Sequence, residues 1–415
     1  MNMMPAPVQP APVMSERRVM LIGALLVAIG PVSMALYTPA MPEIVRAFGT
    51  TEAAVKLTLS LYFAGFALAQ LVCGPLSDGF GRRPITIAFM GIYLAASVMA
   101  LLSPNIHVLI AARFLQGVGA AVGVAMSRAL VRDLFTHERS ARIMNMIGMI
   151  LAIGPAFSPV IGGVTMELFG WHAIFLLMVF AGCGIVAIAL FAMRETVTRD
   201  LSRIRPAAIL RSYATLFGSR YFMLSSLIMG GTVGTLYTLA TMLPFVLIER
   251  AGLTETQFGL SMLMQSGSYF LGSVAVRFIM PKLGSRRLVP IGLALVVAGS
   301  TGLAVFLRIA EPTFLTVMAP IAFIAAGVAF VTPATTTASL APFPHIAGAA
   351  AALAGFMQMG SGLVGSFAVV LVGDPVVAMS TVIPVMGLLA LACWLAFRRL
   401  PDPLSKPIAT MPTAI

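Results

Sequence analysis

Apolar stretches of about 20 residues recur along almost the whole chain, and they constrain its fold more than any other feature. Each stretch is long enough to cross the roughly 30 Å hydrocarbon core of a bilayer as an α-helix, which satisfies its own backbone hydrogen bonds without water. Hydrophobic residues make up 59% of the chain and charged residues 10%, whereas soluble domains are about half apolar and a quarter charged. The sequence therefore predicts an all-α integral membrane protein that is surrounded by the lipid bilayer.

The apolar stretches divide into twelve predicted spans in two groups of six. A polar segment, 194–220, separates the sixth span from the seventh, and it predicts a linker between two six-helix halves, 19–193 and 221–397. The segments 1–18 and 398–415 are predicted tails. The spans lie at 19–41, 54–76, 84–103, 106–129, 141–166, 171–193, 221–248, 257–280, 287–308, 313–336, 346–372 and 376–397.

The basic residues are distributed unequally between the loops on the two sides. Of 26 Lys and Arg residues, two lie within a span, four lie in loops on one side, and the others lie on the side of the linker and both tails. Because Lys and Arg accumulate in cytoplasmic loops, this bias predicts that both termini are cytoplasmic. The net charge of +12 has the same explanation and needs no nucleic-acid partner. The exceptions are Arg113 and Arg128 in a span, and Arg46, Lys56, Arg250 and Arg308 on the other side.

A short glycine-rich loop, GPLSDGFGRRP, follows the second span. Gly74 and Asp78 are four residues apart and share one helix face, where Gly74 permits a neighbour to approach closely. Gly81 permits a tight reversal of the chain. After the eighth span, GSVAVRFIMPKLGSRRL keeps the glycine and the paired arginines but lacks the acid. The two loops predict that the halves are degenerate copies of one six-helix unit.

One arginine lies inside the fourth span, in the stretch HVLIAARFLQGVGAAVGVAMSRALVRDLF. Arg113, Gln116 and Gly117 share one helical face, and at about 1.5 Å per residue Arg113 is roughly 9 Å from His107. A charge in a span costs about 2.5–3.5 kcal/mol on insertion scales, so it is expected to face a cavity or a partner rather than lipid. The sequence therefore marks Arg113 as a functional residue on the side away from the linker.

The fifth span contains GPAFSPVIGG. Two prolines and three glycines weaken the hydrogen-bond ladder of this helix and flatten one side of it. The pattern predicts bending or close sliding against a partner helix. The residues concerned are Gly154, Pro155, Pro159, Gly162 and Gly163.

These three motifs resemble those of the major facilitator superfamily. In that family the loop acid and the arginine four residues later, here Asp78 and Arg82, join an acid at the cytoplasmic end of helix 4, here Asp133. The resulting charge cluster holds the outward-facing state. RFLQGVGAA resembles the helix 4 motif of proton-coupled facilitators, which implies that Arg113 acts in proton or substrate coupling. GPAFSPVIGG, followed by FGWHAIF, resembles the antiporter motif of exporter branches.

Other strings look like those of the drug-efflux branch named for bicyclomycin and chloramphenicol resistance (Bcr/CflA type), namely LYTPAMPEIVRAFG, SRALVRDLF and ASLAPFPHIAGAAAALAGFMQ. The resemblance implies the major facilitator fold and a monomeric exporter of amphipathic small molecules in a bacterial-type inner membrane. It also implies rocking-switch alternating access driven by a proton gradient, with no bound cofactor and no metal.

The chain departs from that branch at the position of an aspartate in helix 1. Ala35 stands two residues before the Tyr-x-Pro string, and no carboxylate falls near the middle of a predicted span. A proton-coupled carrier needs a titratable group that both sides reach in turn, and desolvated carboxylates near the midplane are the usual choice. Glu43 and Glu249, near span ends on the side away from the linker, are the remaining candidate proton acceptors.

A substrate cavity is predicted from polar and adaptable side chains in otherwise apolar spans. Aromatic and methionine side chains suit loosely specified apolar ligands, and the binding sites of such carriers lie between the two halves. The candidate residues are Met34, Tyr37, Tyr62, Gln116, Asn145, Tyr237, Gln265 and Gln358.

Two alternatives to a drug exporter stay open. The first is a carrier of one particular solute, for example an anion, with Arg113 as its counter-charge. The second is a transport-inactive sensor on the same fold. An enzyme is disfavoured because the spans carry neither a metal-ligating cluster nor a nucleophile paired with a base. ATP-driven transport is disfavoured because the sequence lacks a GxxxxGK[ST] loop.

Overall fold

The computed structural model describes residues 13–201, 204 and 206–401, and within them the regular structure is helical. The first half comprises α1 (Glu16–Tyr37), α2 (Met41–Phe48), α3 (Glu52–Phe80), α4 (Arg82–Leu101), α5 (Ile106–Ala120), α6 (Val122–Leu134), α7 (His137–Phe169) and α8 (Trp171–Ala187). After α9 (Pro206–Gly218), the second half comprises α10 (Arg220–Pro244), α11 (Glu255–Leu283), α12 (Ser285–Ile309), α13 (Phe314–Leu340), α14 (Ala347–Val372) and α15 (Pro375–Phe397).

Eleven helical segments in the described part of the chain are long and apolar enough to cross a membrane. In these segments α1 runs on into α2, and α5 into α6. The remaining long helix, α11, has 29 residues, but Ser, Gly and Gln interrupt its apolar residues and lower its hydropathy. With α11, the helices match the twelve predicted spans, so the predicted all-α membrane fold is confirmed.

The linker contains structure that the sequence did not lead us to expect. The segment 194–220 was predicted only as a polar connection, yet residues Pro206–Gly218 form helix α9. Leu216 is fully buried in the second half, and the Tyr213 hydroxyl donates a hydrogen bond of 2.6 Å to the Leu71 carbonyl of α3. Helix α9 therefore contacts both halves. We call the side of the molecule that carries α9 the linker side, and the opposite side the far side.

Each half has its own hydrophobic core. Buried residues between Met14 and Met193 form one core, to which Phe245 is added, and buried residues between Leu216 and Met386 form another. Helix α3 packs along α14, and α7 packs along α11, and these two pairs join the halves.

Equivalent reversals of the chain occur in the two halves. Gly81 alone separates α3 from α4, and Gly284 alone separates α11 from α12. Their φ angles are 106° and 78° and their ψ angles 152° and 156°, a region that is open to glycine and costly for other residues. The tight reversal predicted at Gly81 is present, and its counterpart supports duplication of a six-helix unit.

Candidate functional site

Arg113 lies at the centre of a cage made by the first half. Its side chain is 0% exposed, and its guanidinium carbon lies 4.4 Å from the ring centroid of Tyr37 and 4.5 Å from that of Tyr62. Its Nη1 donates a hydrogen bond of 2.6 Å to Oε1 of Gln116. A cation over the face of an aromatic ring is attracted by the ring quadrupole, and more strongly where water is excluded. We call Arg113, Tyr37, Tyr62 and Gln116 the arginine cage.

Glycines bring the walls of the cage together. A Cβ atom at Gly117 of α5 would overlap the backbone carbonyl of Tyr62, and one at Gly65 of α3 would overlap the backbone carbonyl of Phe114. Because both positions lack side chains, α3 and α5 approach each other along their backbones. This approach places the Tyr62 ring against Arg113, one turn before Gly117.

The polar groups around the cage are almost all hydrogen-bonded within the first half. The exceptions are Nε and Nη2 of Arg113, which have no hydrogen-bond partner among the described residues. The bonded groups are Gln116 Nε2 with Ser97 Oγ (2.8 Å), the Tyr37 hydroxyl with Thr58 Oγ1 (2.7 Å), and the Tyr62 hydroxyl with the Gly30 carbonyl (2.8 Å).

No described carboxylate forms an ion pair with Arg113 in this conformation, and the candidate proton acceptors Glu43 and Glu249 lie elsewhere. Glu43 is paired instead with Arg46, whose Nη2 lies 2.8 Å from Oε2 of the carboxylate. Glu249 is exposed at the end of the helical turn Phe245–Arg250 that extends α10. The positive charge in the cage therefore has aromatic faces as its neighbours and no counterion in the described chain.

The motif in α7 lies where the two halves meet on the far side. A Cβ atom at Gly163 would overlap the backbone carbonyl of Glu255 in α11, and one at Gly259 would overlap the backbone carbonyl of Pro159. The two helices thus touch backbone to backbone. We call this contact, between residues 159–163 of α7 and 255–259 of α11, the far-side seal.

The other small residues of the motif pack against α1. A Cβ atom at Gly162 would overlap the backbone carbonyl of Leu36, and one at Gly154 would lie 3.0 Å from Cγ2 of Val32. Because Gly162 and Gly163 are adjacent but point about 100° apart around the helix, α7 contacts α1 and α11 at the same level. The predicted close packing of this helix is present.

Lys56 reinforces the contact on the far side, and the sequence interpretation missed it. This lysine of α3 has a side chain that is 1% exposed, and its Nζ lies 2.8 Å from Oε2 of Glu52. The same Nζ donates to the backbone carbonyl of Gly373 (3.3 Å) and lies 4.9 Å from the ring centroid of Phe245, both in the second half. The spacing of Glu52 and Lys56 was a signal for the local ion pair but not for the contact between halves.

A charge cluster occupies the linker side of the first half. Arg82 is buried, with Nη1 2.6 Å from Oδ1 of Asp78 and Nε 2.9 Å from Oδ2 of Asp133. The structure therefore brings together the three residues that the family resemblance associates. The cluster is intact while the far-side seal is closed, so its formation does not require an open far side.

Glu195 also belongs to this cluster, although the sequence around it did not indicate a contact with α4. Its carboxylate accepts hydrogen bonds from the backbone N–H groups of Arg82 (2.8 Å) and Arg83 (3.1 Å) at the start of α4. A carboxylate at a helix N-terminus is favoured by the helix dipole and by the unpaired N–H groups there. Thr196 adds a hydrogen bond of 3.2 Å to Asp133. We call Asp78, Arg82, Asp133, Glu195 and Thr196 the linker-side cluster.

Gly74 does not make the close helix contact that the sequence predicts for it. Nothing lies within 4 Å of a Cβ atom built at this position, so no neighbour approaches it closely. The close approach on α3 occurs at Gly65 instead. Nine residues of α-helix turn through about 900°, so Gly65 and Gly74 point in opposite directions.

The candidate cavity residues fall into separate places. Tyr37, Tyr62 and Gln116 belong to the arginine cage, while Tyr237 and Gln358 share a hydrogen bond of 3.2 Å in the second half. The rings of Tyr237 and Phe63 lie 5.4 Å apart and join the halves near their centre. Met34 is partly buried against the first core, and Gln265 of α11 has a buried Oε1 without a described partner.

Asn145 lies apart from the other candidate cavity residues, and its place in a cavity stays a prediction. It lies on the exposed face of the linker-side part of α7, beside Met146 and Met149, which are 43% and 60% exposed. No other described helix covers this face, because α7 meets α11 through its far-side part.

We expect Arg82→Ala to lower the transport rate by about tenfold or more, because it leaves two carboxylates of the linker-side cluster without their shared cation. The rate is measured as substrate accumulation in everted vesicles that carry equal amounts of protein. Arg132→Ala is the matched control, since the Arg132 side chain is exposed. Its Nε lies 3.7 Å from Oδ1 of Asp133, whereas Nε of Arg82 lies 2.9 Å from Oδ2. Equal rates for Arg82→Ala and the wild type would show that the cluster has no part in transport.

The two six-helix halves meet at the far-side seal, and the first half carries the linker-side cluster. This architecture is that of a membrane carrier. The chain belongs to the Major Facilitator Superfamily, whose family model matches residues 23–369. Members of this family are transporters and not enzymes.

Curated relatives match most of the chain. Multidrug resistance protein D of Escherichia coli (strain K12) is 28% identical over 381 residues, which cover 91% of this chain and 94% of the relative. A chloramphenicol resistance protein of Pseudomonas aeruginosa is 29% identical and covers 84% of this chain and 81% of its own length. Multidrug resistance protein MdtL of a Shewanella species (strain ANA-3) is 27% identical and covers 80% and 84%. The chain is therefore similar to resistance proteins along nearly its full length, as the resemblance implied.

Proposed function

We propose that this protein is a secondary exporter of amphipathic drugs that works by alternating access. The far-side seal carries this proposal, because a backbone contact between α7 and α11 has to separate before a substrate between the halves leaves on that side. The names of the relatives, which refer to multidrug and chloramphenicol resistance, support drugs as the substrates. Both halves and both joining helix pairs belong to one chain, which supports a monomer.

The proposed location is a bacterial inner membrane with the linker side in the cytoplasm. The excess of Lys and Arg on the linker side supports this orientation. Closure of the far side then corresponds to a conformation in which substrate cannot leave on that side. Export follows when the halves rock and the far-side seal opens.

A proton gradient is the proposed driving force, with Glu249 as the better of the two candidate proton acceptors. Glu43 is held by its ion pair with Arg46, whereas Glu249 makes no ion pair among the described residues. Glu249 is exposed at the far-side end of its span, within electrostatic range of Glu52, Arg46, Arg250 and Lys56.

The test is transport in everted membrane vesicles with a pH-sensitive dye and a panel of drugs. We expect the vesicle lumen to become less acid when chloramphenicol or another amphipathic drug is added, because each drug that enters exchanges for protons. Vesicles that lack the protein are the reference. Glu249→Gln is expected to remove the proton signal, and Glu311→Gln, at another exposed carboxylate, is the matched control.

Three outcomes would contradict parts of the proposal. Uptake of a single anionic solute with no response to any drug would favour the specific carrier. No transport of any compound by correctly inserted protein would favour the sensor. Drug transport without proton movement would leave the exporter but remove the proton gradient as its driving force.

A further inference from the structure

We infer that the exporter accepts neutral and acidic amphipathic compounds and discriminates against lipophilic cations. This inference rests on the proposed function, and it concerns the charge of the substrate. It follows from three features of the described chain: the position of its charges, the occupation of its aromatic cage, and the short distance from that cage to the surface between the halves.

The first feature is the sign of the charge deep in the helices. Arg113 lies seven residues from the start of the continuous helix that α5 and α6 form, farther from a helix end than any other described charged residue. Every described carboxylate lies within two turns of the end of its helix or outside the helices. Because electrostatic forces are strong in a medium of low dielectric constant, a second cation near the centre of the molecule is repelled by Arg113.

The second feature is that the aromatic faces suited to a substrate cation are already occupied. Proteins recognise lipophilic cations by placing aromatic rings around them. Here Tyr37 and Tyr62 hold the guanidinium of Arg113 between their faces, at 4.4 and 4.5 Å. The protein thus fills this aromatic cage with its own cation.

The third feature is the distance from the cage to the surface between the halves. Tyr62 of the cage is followed in the chain by Phe63, and the two ring centroids are 6.3 Å apart. Phe63 in turn contacts Tyr237 of the second half. Two ring layers therefore separate Arg113 from the other half, which is close enough for its charge to act on a ligand there.

The burial of Arg113 determines how it acts on a ligand. Its side chain is 0% exposed, and its Nε and Nη2 have no hydrogen-bond partner among the described residues. Since two ring layers separate the guanidinium from the other half, its charge acts on a ligand there through space rather than through a hydrogen bond. Neutral and acidic compounds are therefore the better ligands.

The experiment compares two ions of nearly the same shape and opposite charge. Tetraphenylborate and tetraphenylphosphonium are bound to the full-length protein in nanodiscs, and the signal of empty nanodiscs is subtracted. We expect the Kd for the borate to be lower than that for the phosphonium by about tenfold or more. In Arg113→Gln the difference is expected to fall to about twofold or less, and in Arg308→Gln, at an exposed cation near the end of α12, it is expected to persist.

Equal or tighter binding of the phosphonium by the wild type would overturn the inference, whatever the variants do. A preference that persists in Arg113→Gln would overturn the role given to the cage. If Arg113→Gln fails to insert, Arg113→Lys serves in its place, and we expect it to keep the preference because it keeps the charge. Chloramphenicol transport by the same protein in everted vesicles separates the two proposals: its absence removes the exporter, and its presence with a phosphonium preference removes only this inference.

Discussion

Arg113→Ala is expected to reduce transport to the level of vesicles that lack the protein. The substitution removes the charge, the hydrogen bond to Gln116 and the filling between the rings of Tyr37 and Tyr62. Arg113→Lys is expected to retain less than about a tenth of the wild-type rate, because an ammonium group cannot lie flat between two rings and bond Gln116 at the same time. Initial rates of chloramphenicol accumulation in everted vesicles are the measurement.

The control for this prediction is Arg308→Ala, which removes an exposed arginine from the far side and leaves the cage intact. Its rate is expected to equal that of the wild type. Amounts of inserted protein are compared by size-exclusion chromatography of a fluorescent fusion. Normal transport by Arg113→Ala would mean that the cage is a packing feature with no part in transport.

Gly163→Val is expected to hold the far side open and to lower the transport rate by about tenfold or more. A side chain at this position collides with the backbone carbonyl of Glu255, and a backbone atom cannot turn aside as a flexible side chain does. The halves then separate on the far side or remain strained. A cysteine introduced as Thr256→Cys, in a background with the three native cysteines replaced by serine, reports the opening. Its reaction with a membrane-impermeant maleimide in whole cells is expected to become faster.

Gly148→Val is the matched control in the same helix, because nothing lies within 4 Å of a Cβ atom built at Gly148. It introduces the same side chain and the same change in helix propensity. Transport and labelling are expected to stay close to those of the Thr256→Cys background. If Gly163→Val transports drugs as fast as Gly148→Val, the backbone contact is not required for the transport cycle.

The sequence predicts those parts of the molecule that depend on local pattern. Helix positions follow from hydropathy, since a long apolar span satisfies its own backbone hydrogen bonds in lipid by forming a helix. The shared face of Arg113 and Gln116 follows from helix geometry, and the hydrogen bond between them is present. The reversal at Gly81 follows from the backbone that glycine permits.

The rest depends on partners that are distant in the chain. Tyr37 and Tyr62 were selected as cavity residues, but nothing in their spacing indicated that both contact Arg113. Glu195 reaches the start of α4 across 113 residues of sequence. The place of Gly74 was misjudged because a small residue permits a close contact without requiring one. Which of several glycines is used depends on how the helices are rotated against each other.

The location of the arginine cage within one half has an electrical consequence. Its residues all come from the first half, so the positive charge moves with that half whenever the two halves change position. Any part of this movement along the membrane normal displaces charge through the transmembrane field, where a full elementary charge is worth about 2.3 kcal/mol per 100 mV. The membrane potential therefore acts on the equilibrium between the conformations of the protein, even when the substrate is neutral.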